Sequence, residues 1–404
     1  MNIKALIKSL LLRKFTTGLL LLQLALTLGL IVNSGILATD TNEKLQRNTG
    51  LALDNILVVE MLPTSGAYAE RDYYKSITLE DIAKIEAMPG VNSVSPSVQL
   101  PIQSGGWNGN LTDVDNPDAA LTDRMLNYVT YFYSNTQLTD TFGLKLVDGR
   151  LFTDADLRDP DSEATQNIII TESLAKTLYP GESAVGKLTT SGMVIGVVSN
   201  MLINPRFGIE KQYAAFFNDP IYFPGITQHY VINAQAEQLD HIKKQVAKVI
   251  LDVQPERDIY SLYTMEEHID QFYQTDQGLV SLFSTLGVLM ILITAISSYA
   301  YAQFHMTQQT KLIGIRRALG ATRQDIMLYV LTENWLVYLL GCILGIAAAI
   351  GFNVLLSQYI SLSKPSVMLC VFTMAIMFVA STLATWWPAL KTSSIPPVIA
   401  TRTV

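Results

Sequence analysis

Four long apolar stretches constrain how this 404-residue chain can fold. The first, FTTGLLLLQLALTLGLIVNSGILA from Phe15 to Ala38, carries no charge, and three more follow late, around Gly278–Phe304, Ile326–Leu356 and Pro365–Pro388. At about 1.5 Å per helical residue, each is long enough to cross a hydrocarbon core of roughly 30 Å. The sequence therefore predicts four membrane helices, at 15–38, 277–304, 326–356 and 365–387.

Residues 39–276, between the first two spans, are polar and hold nearly all the acidic residues, as in an ordinary soluble domain. Positive charge near helix ends marks the cytoplasmic side. Lys4, Lys8, Arg13 and Lys14 precede the first span, Lys311, Arg316, Arg317 and Arg323 lie between the second and third, and Lys391 and Arg402 follow the fourth. All three clusters fall on one side of a four-span chain, so the acidic domain is expected outside and both termini inside. A cleaved signal peptide is disfavoured because the first apolar run is too long and no small-x-small site follows. Residues 1–14 place Ile3, Leu6, Ile7, Leu10 and Leu11 on one helical face, which suits an amphipathic segment at the inner surface, although a simple basic flank explains the lysines equally.

Cys342 and Cys370 both fall in predicted spans, so the external domain must fold without disulfides. His229, His241, His268 and His305 lack metal-ligand spacing, and no serine sits in a Gly-x-Ser-x-Gly turn. The acidic stretch DADLRDPDSEATQ lacks the glycine of a calcium loop and reads as solvated surface. No catalytic, metal or cofactor-binding residue is predicted, and no nucleic-acid partner.

The external domain shows the same pattern at both ends. LDNILVVEMLP, SITLEDIAKIEAMPG and VNSVSPSVQLPI read as strand, helix and strand, and so do HYVINAQA, EQLDHIKKQVAKVILDVQP and RDIYSLYTM. Residues 39–103 and 225–263 are expected to share one membrane-proximal α/β subdomain, with 104–224 inserted as a second and 264–276 a stalk. Within the insert, PGESAVGKLTT has the glycine and lysine spacing of a phosphate loop, but the glycines follow a helix (TESLAKTLY, capped by Thr171) and Leu188 stands where Ser or Thr would hold magnesium. A glycine-dependent connection is the expectation there.

The cytoplasmic stretch HMTQQTKLIGIRRALGATRQDI, within a predicted loop at 305–325, mixes apolar and basic residues around Gly314 and Gly320. As physics it suits lipid headgroups or a docking partner equally. IGIRRALGATRQDI resembles the signature of the FtsX/MacB-like permease family of ABC transporters, and GLKLVDGRLFTDAD, IIITESLAKTLYPGESAVGKL, VIGVVSN and the tail PALKTSSIPPVIATR resemble the family's other segments. The resemblance implies an α-helical membrane protein with four transmembrane helices and a large periplasmic α+β domain of two subdomains between the first and second. It also implies that Ile313, Gly314, Ile315, Arg316, Arg317, Ala318, Leu319, Gly320, Ala321 and Arg323 couple to a separate cytoplasmic ABC ATPase dimer, which binds the ATP. The chain itself has no room for an ATPase and is expected to be non-catalytic. Partners implied are a second permease copy or a paralogous permease, and in some systems a periplasmic adaptor and an outer-membrane channel. Leu312 and Gln309 depart from the family's usual Glu and Arg.

Thr264-x-x-Glu267 reads as a capping box opening one helix that runs without proline to His305, about 60 Å of rod for mechanical transmission in export or efflux of a drug, peptide or lipid-linked substrate, the alternative being two helices broken near Gly278. Glu333 is a lone acid in its span with no charged partner predicted on another, and Gly341 and Gly345 offer a small face for helix packing. An FtsX-like regulator of cell-wall hydrolases, a lipoprotein-release permease and a transmembrane signalling receptor are the alternatives, the last needing a cytoplasmic effector domain.

Overall fold

The computed structural model describes residues 14–103, 105–115, 128–158, 165–205, 209–222, 226–359 and 362–394; the amphipathic stretch at 1–13 and the tail beyond 394 lie outside the described residues. In chain order the elements are α1 (Lys14–Leu45), β1 (Ile56–Pro63), α2 (Arg71–Glu86), β2 (Val91–Ser97), β3 (Asn108–Gly109), β4 (Val129–Ser134), α3 (Leu138–Thr141), β5 (Leu146–Gly149), β6 (Asn167–Thr171), α4 (Glu172–Leu178), β7 (Leu188–Thr189), β8 (Gly192–Val198), β9 (Ala214–Asn218), β10 (Gln228–Ala234), α5 (Leu239–Val253), β11 (Arg257–Thr264), α6 (Met265–Phe272), α7 (Gln274–Ala318), α8 (Arg323–Leu356) and α9 (Val367–Ser393). They form two units, Leu45–Tyr273 and the membrane unit Met1–Lys44 with Gln274–Val404.

In the polar unit, β1, β2, β10 and β11 make one antiparallel sheet in the order β11-β1-β10-β2. This is the split β-α-β arrangement, with α2 and α5 on one face. Alternation explains the layering: Leu57, Val59 and Met61 pack with Ile85, Ile242, Val246 and Ile250 of the helices, while Ile56 and Val58 turn to the other face. There they meet Phe132, Ile169, Ile195 and Phe216 from the second sheet, which is built from 108–218 in the order β3-β4-β9-β6-β8-β5, with β7 on β8. The far side of that sheet is covered by α4 through Leu174 and Leu178.

The phosphate-loop lookalike follows α4. Gly181 and Gly186 adopt φ of 79° and 83°, the left-handed region in which glycine has no steric penalty. The Gly186 amide donates to the Val194 carbonyl at 2.7 Å and Lys187 pairs with Glu182 at 3.0 Å. β7 follows rather than a helix. Thr171 does not cap α4 as expected: its hydroxyl donates to the Gln212 carbonyl and accepts from the Ala214 amide, and Asn200 accepts from the Ser173 amide instead.

The membrane unit contains four helices, α1, α7, α8 and α9, long and apolar enough to span a bilayer. Their limits differ from the sequence reading. A single helix from Thr264 to His305 is not formed, because Tyr273 is non-helical (φ −90°, ψ 4°), its ring buried beside Ile102, Leu202 and Ile269 of the polar unit. The Thr264–Glu267 capping box therefore opens only the short α6, and α7 starts afresh at Gln274. From there α7 runs unbroken to Ala318, about 67 Å at the standard rise, so most of the stretch expected to be a cytoplasmic loop is helical. The fourth helix continues through Pro388 to Ser393.

Candidate functional site

Hydrogen bonding at two helix ends explains the tip between α7 and α8. The Ala321 amide donates to the Arg316 carbonyl at 3.0 Å and the Gly320 amide to the Arg317 carbonyl at 3.1 Å, a Schellman termination with Gly320 at φ 103°. Nothing lies within 4 Å of where a Cβ would stand on Gly320, so the glycine serves backbone conformation rather than space. Immediately after, Thr322 and Asp325 form a capping box: Thr322 accepts from the Asp325 amide at 3.2 Å and the Asp325 carboxylate accepts from the Thr322 amide at 2.9 Å. Two complementary caps in succession make a short, fixed αα-hairpin out of a stretch that sequence alone reads as a loop.

The hairpin has two faces. Ile313 and Gly314 are buried, Ile313 packing with Met306, Ile326, Val330 and Ala389. They hold the hairpin together and are not offered to a partner. Arg317 also turns inward, donating to the Ser393 carbonyl at the end of α9 at 2.5 Å, the place where a cation offsets the helix dipole. Exposed instead are Ile315, Ala318, Leu319, Gly320 and Arg323, with Leu319 at 83%. Arg316 lies over the Tyr329 ring at 4.3 Å, and with Leu319, Ala321, Asp325 and Leu328 it lines an open recess. The result is an apolar tip flanked by Arg316 and Arg323, with Asp325 beside them. Tyr329 was not evident as a member of this site in the sequence, although it stands about one turn beyond Asp325 on the same helix.

Higher in the bundle Glu333 is 2% exposed and bonds to His305 of α7, also 2% exposed. The expectation that Glu333 stands alone among the spans is thus corrected: it has a titratable hydrogen-bond partner on α7, the His305 imidazole. The available signal was the spacing of Ser298, Tyr301 and His305, which share one face of α7. Gly341 and Gly345 pack within the chain, against α1: a Cβ on Gly341 would stand 2.8 Å from the Leu24 Cβ, and on Gly345 2.5 Å from the Leu28 Cδ2.

The polar unit holds two further charged clusters. Asp81 and Arg257 form a fully buried ion pair joined by the Tyr230 hydroxyl at 2.6 Å. Glu60 accepts from Tyr263 at 2.7 Å and meets His229, its cross-strand partner, at 3.1 Å. The His229 hydrogen bond holds the Glu60 carboxyl below its ordinary value against desolvation, so this stabilisation is present above the ordinary carboxylate range and lost as pH falls below it. His268 is pushed down by burial while its Nε2 donates to the Ile102 carbonyl. Among the described residues no group of three or more His, Cys, Asp or Glu is placed to hold a metal ion.

Two family models match the chain: a MacB-like periplasmic core domain over residues 19–259 and an FtsX-like permease C-terminal region over 284–397. The macrolide export ATP-binding/permease protein MacB of Bdellovibrio bacteriovorus is 23% identical, the match covering 96% of this chain and 59% of that protein. The ABC transporter permease YknZ of Bacillus subtilis is 27% identical over 58% of this chain and 59% of its own length. The chain thus spans about three fifths of either relative. Among solved structures, the periplasmic region of MacB from Actinobacillus actinomycetemcomitans is similar over 56% of this chain and 94% of that one, at 17% identity and a TM-score of 0.35.

Proposed function

The chain belongs to the permeases that carry a MacB-like periplasmic core domain and an FtsX-like C-terminal region, and from that premise we propose that it is the membrane subunit through which a cytoplasmic ABC ATPase acts on the periplasm. It is an inner-membrane ABC permease with four apolar helices and a periplasmic domain. We further propose that a separate ATPase dimer engages two permeases, either two copies or a copy and a paralogue. ATP then enters the work only through the partner, and this chain contributes no catalytic residue.

The observation that carries the proposal is the fixed hairpin. Its exposed Leu319 and Ile315 supply an apolar anchor, and Arg316 and Arg323 flank it with positive charge. Such a tip suits a partner groove with apolar floor and acidic rim, where charge guides docking and buried apolar area holds it. A movement imposed there is carried along the unbroken α7, whose length is twice the hydrocarbon thickness. The covalent joins at Lys44/Leu45 and Tyr273/Gln274 then pass it to the periplasmic domain. We read the work done as export or efflux of a drug, peptide or lipid-linked substrate, a reading supported by relatives named for macrolide export. An adaptor and an outer-membrane channel belong to the same proposal.

Arg316→Glu with Arg323→Glu tests it in the full chain. These two are chosen because Arg317 is engaged with Ser393, so replacing it would also disturb α9. The double variant is expected to insert normally and to lose at least tenfold in binding and stimulation of the cognate ATPase, about 1.4 kcal/mol or more. Unchanged binding and stimulation would overturn the assignment.

A further inference from the structure

A buried polar contact of the membrane unit lies just above the hairpin. Glu333 bonds to Nε2 of His305; among the described residues the Nδ1 of that ring is buried without a partner, so the contact to Glu333 is the hydrogen bond seen to fix it. Tyr301, one turn earlier on α7, lies parallel to the imidazole, with centroids 6.1 Å apart and planes 10° apart, and its hydroxyl reaches Thr17 of α1 at 3.4 Å. Asn334, beside Glu333, donates to Ser381 and Thr385 of α9 at 3.1 and 3.3 Å. One polar layer therefore joins all four helices at this level.

Energy alone does not account for it. A carboxyl group within hydrocarbon costs about 2.5–3.5 kcal/mol on insertion scales, and a well-packed apolar pair often holds two elements as firmly as a buried ion pair. What a hydrogen between Nε2 and Oε2 adds is direction. Leucine contacts tolerate sliding and rotation, whereas this bond permits one axial register and one rotation of α7 against α8. About 12 Å of α7 separates His305 from Ile313, and about 10 Å of α8 separates Glu333 from Ile326. The pair thus closes the hairpin into a short lever with Ile313 and Ile326 packed inside it.

We propose that His305 and Glu333 are positioning residues for coupling: they lock the inner ends of α7 and α8 so that displacement of the hairpin moves both helices together. This rests on the coupling function proposed above. Without the lock, a push on Leu319 is absorbed by slippage between the two helices before it reaches their outer halves.

The test uses the full-length chain in lipid nanodiscs, with Cys342 and Cys370 replaced by alanine. Spin labels at Leu312→Cys and Leu328→Cys, both exposed, report the α7–α8 register without any ATPase. In a separate preparation, a polarity-sensitive fluorophore at Leu282→Cys on outer α7, also exposed, reports movement when the ATPase and nucleotide are added. His305→Leu with Glu333→Leu removes the bond while preserving a packed, uncharged contact; His305→Gln with Glu333→Gln keeps a hydrogen bond without charge. The leucine pair is expected to fold and bind the ATPase, to broaden the label distances, and to reduce the Leu282 response at least tenfold; the glutamine pair is expected to restore both. Narrow distances and an undiminished response in the leucine pair overturn the proposal. If the unsubstituted chain gives narrow distances that the leucine pair broadens, but no response to the ATPase, the lock stands and the coupling reading fails.

Discussion

The two units of this chain differ most in what they turn outward. The periplasmic domain hides Ile56, Val58, Phe132, Ile169 and Phe216, and keeps most of its charges at the surface. The membrane unit turns Leu282, Leu292, Ile343 and Leu383 outward and hides Thr27, Asn33, Thr294, His305, Glu333, Asn334 and Thr385. The difference follows from the solvent. Water drives apolar area inward at about 25 cal/mol per Å². Lipid gives no such drive between helices, so close approach and hydrogen bonds decide which faces meet. Asn33 shows the second case, its Nδ2 donating at 2.9 Å to carbonyls of both Gly29 on its own helix and Ala349 on α8.

The comparison is most sharply tested where each unit breaks its own rule or depends on it. Arg257→Met strands Asp81 in the one fully buried ion pair among the described residues, which should cost about 3–5 kcal/mol. Urea unfolding of the full chain, followed by protease sensitivity of the periplasmic domain, should show the loss, and Asp81→Leu added to Arg257→Met should recover most of it. Gly345→Val comes next: its Cβ would collide with Leu28, so α8 must shift from α1, at about 1–3 kcal/mol of overpacking. Heat-induced loss of the detergent-solubilised fold should rise accordingly, with the periplasmic domain unaffected. The smallest effect is expected from Thr27→Val, which removes the 3.0 Å hydrogen bond to Thr294 at a cost of about 0.6 kcal/mol. A loss of several kcal/mol there would mean that polar contacts dominate the bundle more than helix packing does.

The candidate site was partly legible. A basic, glycine-punctuated segment stands out between apolar runs, while the choice of Leu319, Gly320 and Arg323 as coupling residues came from the family resemblance. That Arg317 faces Ser393, across 76 residues, could not be read, because it depends on where α9 ends beside α7. The hairpin itself was hidden for a different reason: its cap residues are ordinary in isolation, and only the Ala321-to-Arg316 and Thr322-to-Asp325 bonds turn them into consecutive stops. The break at Tyr273 was missed because helical pattern runs straight through it, and burial of that ring in the periplasmic core overrides local propensity.

What the sequence determined by itself is local and additive. Runs of apolar residues set four spans, the distribution of lysine and arginine set their orientation, and alternation at both ends of the external segment set two strand-helix-strand units. What only the tertiary structure decided is which faces meet: β1 between β10 and β11, Gly345 against Leu28, and His305 against Glu333. Each of those depends on geometry accumulated along whole helices and across distant segments, where a quarter-turn of one helix exchanges every partner.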